Sequence, residues 1–561
     1  MKHESIPVRL GGVVAEAQRR SEEHRLREFV VDIESEALAL FTEAHKSTCR
    51  TGDWYGEHVG KWLVTAARCA KRTENPDWIS RITVVLDVLE KEQEPSGYLG
   101  TYAPDARCRF DHPEVSQERT WDLWVHAWMM LGLIECSTLP ESDPRALSMA
   151  VKIGDLILST FAADPGGIVR QGNHAGLSSL VVLEPLALLS RATRDPRFAL
   201  FGQAILQIAD RQGLPLLADP PVPISQVGTG KIYQLIWCLQ GIVELGRETK
   251  EPRLIERVEH YWRSIRDHHL TPFGGPWGGI ATHKEVFNPP GFFDPCGLVE
   301  TCSSATWLTL TQELFLLTGD SGYLPEVERT LMNAILGAQD ENGRDWCYFT
   351  FPNGRRNNTY HWACCKSSGA LALESSSGTV LTRSGDDLWI NQWMPFEAIL
   401  PDGTQIWLET EAERLRLVAT KAVQVRMRVP AWAETTLPSE KGVITIVTGP
   451  EGVEIPYRRS AKVVPFTYSL DHHGQEIVRE DYVCIVQGPF VFATGKLDGF
   501  ASEFTVRLPQ LNPNSVLDVV DSETIVLRQA GCKPIRFEPF YRAGGRSDGA
   551  WRTTWMRVAW Q

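Results

Sequence analysis

EPRLIERVEHYWRSI, residues 251–265, decides the fold. Leu254, Val258, Tyr261, Trp262 and Ile265 fall at i, i+4, i+7, i+8 and i+11, which is one apolar stripe along a helix packed on a single side. The acid-Pro pair in front of the stripe is a helix-starting turn. The same device recurs as NPDW around Pro76, DPRAL around Pro144 and DPRF around Pro196, and as DSGYL around Gly322. Taken in chain order, these markers are 68, 52, 56 and 70 residues apart, room each time for two helices and two loops. One helix-length beyond each lies a Gly-rich break: Gly97, Gly166, Gly213, Gly274 and Gly343 follow their markers by 21, 22, 17, 22 and 21 residues. Such regularity describes antiparallel helix pairs with short turns at one end and longer Gly-containing loops at the other. Five repeats plus an N-terminal helical segment give about six hairpins, the count at which known helical barrels close into an α/α toroid. An open solenoid is the competing arrangement.

Past about residue 375 the period changes. Val423, Val425, Met427 and Val429 alternate with Gln424, Arg426 and Arg428, the pattern of a half-buried strand. Further strands are expected at 387–393, 443–448, 481–487 and 523–528, so the C-terminal part reads as an antiparallel β-sandwich. The expected organisation is a mainly α protein with a β domain: a six-hairpin α/α toroid over 1–375 and a β-sandwich over 376–561, joined near SSSG at 375–378.

Composition narrows the function classes. At 561 residues the chain exceeds one ordinary core, and 43% hydrophobic with 23% charged residues and 19 Trp is globular rather than disordered. Its 57 Lys+Arg against 70 Asp+Glu leave a net charge of −13, with no basic block to track phosphates, which argues against a nucleic-acid partner. The first 28 residues are charged throughout and lack a signal peptide's apolar stretch. No apolar run approaches the ~18 residues of a membrane span, so a cytoplasmic protein with no membrane partner is expected. Twelve Cys in a chain this long are too sparse for a disulfide scaffold, and most are expected as thiols.

Two polar clusters sit just beyond the Gly274 and Gly343 breaks. HKEVFNPPGFFDPCGLVETC contains Glu285, Glu300 and Cys302; YHWACCKSSG contains His361, Cys364 and Cys365. Three thiols and a carboxylate make a plausible tetrahedral zinc set. Glu300 and Cys302 would point about 200° apart on a regular helix, so they can share a metal only at an irregular helix start. The adjacent cysteines require a non-helical turn, for which Lys366-Ser367-Ser368-Gly369 offers turn residues. The residues alone leave open that the cysteines are small buried hydrophobes, that a zinc is structural only, and that Glu285 is a solvated acid.

At these residues the sequence resembles glycoside hydrolase family 127, the β-L-arabinofuranosidase-like enzymes. The likeness rests on Glu300-Thr301-Cys302 followed by Cys364-Cys365, and extends over GEHVGKWL (56–63), VHAWMMLGLIE (125–135), NHAGLSSLVVLEPL (173–186), ERTLMNAILGAQDENGRDWCYF (328–349), VRMRVPAWA and VQGPFVFA. The resemblance implies zinc on Glu300, Cys302, Cys364 and Cys365, with Cys364 the nucleophile and Glu285 the general acid/base of a retaining exo-glycosidase. It further implies that a small oligosaccharide or glycoside loses a terminal L-arabinofuranose or related sugar.

The departures concern the sugar pocket. Lys231 stands in TGKIYQLIW where a histidine is expected, and Lys-Ser-Ser follows the Cys pair where Pro-Pro-Asn is common. Lys231 could face an acidic branched sugar or be a solvated helix residue. His58, His126, His174 and His361 are further candidate substrate contacts, each also readable as a structural histidine. The rival function is a zinc-containing carbohydrate-binding protein without turnover, and a homodimer is compatible with everything above.

Overall fold

The computed structural model describes residues 2–30, 35–50, 54–108, 120–278, 285–290, 294–359, 362–411, 413–471, 477–495 and 504–561. Its helical part is built of α1 (Gly12–Ser21), α2 (Glu57–Thr73), α3 (Pro76–Glu92), α4 (Asp122–Cys136), α5 (Pro144–Phe161), α6 (Leu183–Thr193), α7 (Pro196–Arg211), α8 (Ile232–Glu248), α9 (Pro252–His268), α10 (Thr301–Thr318), α11 (Leu324–Arg329) and α12 (Cys364–Glu374). Helical turns extend α1 to Leu26 and α11 to Ala338.

The helices form a closed toroid. Helices α2, α4, α6, α8, α10 and α12 each pack on the next, and α12 returns to pack on α2. Their outer partners are α3, α5, α7, α9 and α11, while α1 covers α12. The sixth hairpin is therefore made from the two ends of the toroid segment, which fixes closure and removes the open solenoid. The outer helix α9 buries Leu254, Val258, Tyr261, Trp262 and Ile265 and nothing else, the stripe expected from the sequence. Inner helices such as α2 and α8 are instead buried on nearly every side.

Each hairpin turn is fixed by local chemistry. Asn75, Asp143, Asp195 and Asp320 accept the backbone N–H two residues on, satisfying a donor the helix start leaves unpaired; Glu251 makes no such bond. Inner helices α2 and α4 touch through glycines. A Cβ on Gly60 would lie 2.4 Å from the Trp128 carbonyl carbon, and one on Gly132 would lie 2.8 Å from the Gly60 oxygen. Residues 174–193 are apolar and long enough to cross a membrane, yet 78% of that window is buried inside the protein, where it feeds α6.

The C-terminal region is rich in strands. A five-stranded sheet contains Leu381–Ser384, Asp387–Ile390, Val423–Arg428 and Val443–Thr448, and a six-stranded sheet contains Phe396–Ile399, Gln405–Glu411, Arg414–Ala419 and Val453–Arg458. Leu388, Val425 and Met427 of the first share one apolar cluster with Phe396, Leu408 and Leu417 of the second. A third sheet holds Ile477–Gln487, Phe490–Ala493 and Met556–Trp560 among others. The sheets are not purely antiparallel as expected: Val423–Arg428 runs parallel to Asp387–Ile390, and Thr505–Leu508 parallel to Met556–Trp560. Nor does the strand-forming chain begin only past 375, because Glu4–Ser5 and Arg9–Leu10 add edge strands to the first two sheets. Two-residue edge strands carry too little pattern to be read from sequence.

Candidate active site

All five Gly-containing loops run from an outer helix back to the start of the next inner helix, so they gather at one end of the toroid. That end holds a cavity of about 660 Å³ lined by residues of every loop: Trp54 and Glu57, Trp121 and Trp124, Asn173, His174 and Ala175, Thr229, Lys231, Tyr233 and Gln234, Glu285 and Glu300, Tyr348 and Cys364. His174 and Ala175 take the left-handed backbone conformation, at φ +53° and +60°, a strained turn at the cavity wall.

Glu300, Cys302, Cys364 and Cys365 converge, with one ligand atom from each lying within 4.8 Å of all the others. Glu300 ends a short strand, Leu298–Glu300, whose neighbour Phe349–Thr350 ties the two site loops together, and it is also the residue that caps α10. Its extended backbone, ψ 134°, is the irregular helix start that lets Glu300 and Cys302 meet. The cysteine pair differs from expectation. Residues 366–369 form no turn; Cys364 and Cys365 are themselves the first residues of α12. Convergence succeeds there because the cysteines open the helix against the start of α10, and not because the chain bends after them. Cys302 Sγ lies 3.3 Å from the sulfurs of both Cys364 and Cys365, which are 4.0 Å apart. Sulfurs about 2.3 Å from a common tetrahedral zinc would be about 3.8 Å apart, so this soft donor set fits that ion.

Electrostatics single out one thiol. Hydrogen bonding by Cys302 and then Cys365, joined by the Lys61 charge and Tyr348, holds the Cys364 thiol well below its ordinary range against the opposing effect of burial. Burial pushes the Cys302 and Cys365 thiols up, the opposite direction from Cys364, the sulfur that also lines the cavity. The N-terminal position of Cys364 on α12 favours the same outcome. Burial pushes the Glu300 carboxyl up to about 8, opposed by Lys231.

Glu285 lines the same cavity as Glu300 and Cys364. The bond from Ile232 N–H to the Glu285 carbonyl, 3.0 Å, and that from Phe287 N–H to the Gly230 carbonyl, 3.0 Å, lay its segment beside the start of α8. There Lys231 Nζ reaches Glu285 Oε2 at 2.9 Å. Lys231 is thus not a solvated helix residue; it is buried, paired with Glu285, and part of the cavity lining.

The histidines divide. His174 lines the cavity against Trp121, with ring centroids 5.9 Å apart. His58 and His126 do not line it. His58 lies within 3.1 Å of the Trp362 carbonyl and 2.8 Å of Ser367 Oγ, and burial, with the Arg25 charge, takes its imidazole down to about 3. His126 donates from Nδ1 to the Asp122 carbonyl at 2.8 Å and accepts the Leu99 N–H on Nε2 at 3.2 Å. Both are structural histidines whose hydrogen bonds are used inside the wall. His361 lies outside the described residues.

Sequence reading missed Glu57, Trp124, Tyr233 and Tyr348 in the lining. Glu57 and Lys61 are fully buried and 3.2 Å apart, and Trp124 Nε1 donates to Glu57 Oε2 at 2.5 Å. Burial pushes Glu57 up to about 7, opposed by Lys61. Burial works to lower Lys61, but the charges of Glu57, Cys302 and Cys364 outweigh it and raise the ammonium's pKa. An acid and a lysine four apart within EHVGKWLVTAA, a mostly apolar stretch, was the signal available.

Residues 15–378 match the family model described as beta-L-arabinofuranosidase, GH127 catalytic domain. A solved GH127 beta-arabinofuranosidase superposes with a TM-score of 0.74 at 18% identity, covering 99% of this chain and 98% of that one. A GH127 beta-L-arabinofuranosidase from Geobacillus stearothermophilus T6 gives 0.74 at 16% identity, covering 99% of this chain and all (100%) of that one. A structure described as a glycoside hydrolase gives 0.72 at 16%, covering 100% and 98%. At these identities the superpositions show the fold. No curated protein matches the chain.

Proposed function

Because the chain belongs to the beta-L-arabinofuranosidase family GH127 and is a glycoside hydrolase, we propose that it is a zinc-dependent retaining exo-glycosidase that releases a terminal L-arabinofuranose or closely related neutral sugar. The observation that carries this reading is the placement of Cys364, Glu300 and Glu285 on the walls of one cavity of about 660 Å³, a volume suited to a small glycoside.

A retaining glycosidase needs a nucleophile on one face of the anomeric carbon and a proton donor on the other. Cys364 Sγ attacks the anomeric carbon while Glu285 gives a proton to the departing glycosidic oxygen, leaving a thioglycoside. Glu285 then takes a proton from a water that displaces Cys364, restoring the thiolate and freeing the sugar with its original configuration. Glu300, Cys302, Cys364 and Cys365 would hold the zinc, which supplies the charge that keeps the attacking sulfur deprotonated. Lys231 fixes the Glu285 carboxyl on the cavity wall. Trp121 and Trp124 give the sugar apolar faces, and Asn173 and His174 offer hydrogen bonds to its hydroxyls.

The charge of the lining favours a neutral sugar. Lys231 is taken by Glu285 and Lys61 by Glu57, while Glu300 and Cys364 add negative charge. A panel of aryl glycosides, assayed before and after zinc removal by a chelator, tests the proposal. Cleavage of the aryl β-L-arabinofuranoside, lost with zinc and restored by adding it back, is the expected result. Undiminished turnover in zinc-stripped enzyme would overturn the metal's role, and exclusive cleavage of a carboxylated sugar would overturn the specificity.

A further inference from the structure

The ion pair of Lys61 and Glu57 has no part in the reaction as drawn, yet it is buried at considerable cost. Neither side chain has any exposed surface, and their separation is 3.2 Å. Beyond Glu57, Lys61 Nζ meets only aromatic faces, 4.9 Å from the Trp128 ring centroid and 5.2 Å from that of Tyr233, with no acceptor in hydrogen-bonding geometry among the described residues. Removing two charges from water is repaid in full only when further partners satisfy them; Glu57 has the Trp124 N–H, but Lys61 has no second partner in hydrogen-bonding geometry among the described residues, which points to another charge near the ammonium.

That charge is the donor cluster. Helix α2, which carries the pair in its first two turns, packs on α12, which begins with Cys364 and Cys365. Tyr233, whose ring lies under Lys61, lines one small cavity with Ser368, and Ser368 Oγ lies 3.2 Å from Cys302 Sγ. Three thiolates and a carboxylate would bring four negative charges to a divalent ion, leaving an excess of two at a largely buried site. Lys231 is shared between Glu285 and Glu300, whereas Lys61, paired with Glu57, is the buried cation on which the charges of Cys302 and Cys364 act.

We propose that Lys61 is a positioning residue for the metal centre, its buried ammonium offsetting the excess negative charge of Glu300, Cys302, Cys364 and Cys365, with Glu57 holding the ammonium in place. The inference rests on the zinc reading above and adds to it a charge requirement that the four ligands do not meet themselves.

The sign of the effect separates charge from packing. Lys61→Met removes the cation and leaves Glu57, so zinc affinity should fall by about tenfold to a hundredfold, the usual cost of losing a supporting contact behind the ligands. Glu57→Gln keeps the cation and removes an anion, so affinity should equal or exceed that of the wild type. Zinc dissociation constants are measured at pH 8 by competition with a chelator of known affinity, on wild type and both variants. Lys61→Met within twofold of wild type overturns the proposal, as does Glu57→Gln losing affinity in parallel. If Lys61→Met does not fold, Glu57→Gln decides alone: affinity retained or raised supports the proposal, and affinity lowered overturns it. Failure of the wild type to take up zinc would instead strike the reading beneath, and the wild-type arm reports that separately.

Discussion

The two ends of the toroid solve the same topological problem in opposite ways. At one end an inner helix hands over to its outer partner through two to seven residues, and four of the five turns between α2 and α11 use one side-chain bond to an Asn or Asp. At the other end the outer helix returns to the next inner helix through loops of different length and content, and these loops, with the first turns of the inner helices they lead into, line the cavity. A short turn has few conformations and one local solution, so the first end repeats. A long loop whose ends are fixed by a rigid ring is free to vary, so the second end accumulates chemistry.

The largest effect expected from breaking this division is at the ring's inner helix starts. Cys364→Ser should abolish turnover, because the alcohol replaces the one sulfur of the cluster that lines the cavity and whose surroundings favour the thiolate. Cys365→Ser should lower zinc retention together with activity, since Cys365 is buried in the cluster without reaching the cavity. A trapped sugar adduct on Cys365 would reverse the two roles. Next in size is Glu285→Gln, which should slow substrates with poor leaving groups far more than aryl glycosides of acidic phenols, with azide restoring part of the second step. Equal slowing of both substrate classes would remove Glu285 as the proton donor.

The same division explains what could be read from the sequence. The stripe in α9 was legible because an outer helix is buried on one face only, and the acid-Pro turns were legible because their chemistry is local. Inner helices are walled on both sides and lose that period, so Glu57 and Lys61 were quoted within GEHVGKWL but not recognised as a buried pair. His58 and His126 failed for the same reason: an imidazole in an apolar helix reads alike whether it faces a cavity or a backbone carbonyl. The four residues of the candidate metal cluster were found through a motif, whereas the geometry that joins them was misread at 366–369, because the meeting of two helix starts is a tertiary fact that no local spacing encodes.

A middle-sized effect lies where the ring itself is tightest. Gly60→Ala would drive a methyl group to 2.4 Å from the Trp128 carbonyl carbon, on backbone that cannot swing aside. Overpacking of this kind costs about 1–3 kcal/mol or more, measured as a lower urea midpoint. Because α2 and α4 both carry cavity residues, activity should fall as well. An unchanged midpoint would mean that the inner ring yields more readily than its contacts suggest.

The smallest effect belongs to the repetitive end and tests whether that end is structural only. Asn75 Oδ1 accepts the Asp77 N–H at 3.0 Å, pairing one donor at the start of α3, and Pro76 presets the first helical residue. Asn75→Ala should cost about 1 kcal/mol, the usual price of losing such a cap. Glu251 occupies the equivalent place before α9 without a capping bond, its carboxylate taking the amide of Gln203 instead. Glu251→Ala should therefore leave the urea midpoint nearly unmoved. Both variants should keep wild-type kcat and KM, because these turns lie at the far end of the helices from the cavity. Equal destabilisation by the two substitutions would show that the turns are held by their prolines and packing rather than by side-chain caps. A change in KM from Asn75→Ala would show that the two ends are coupled through the ring.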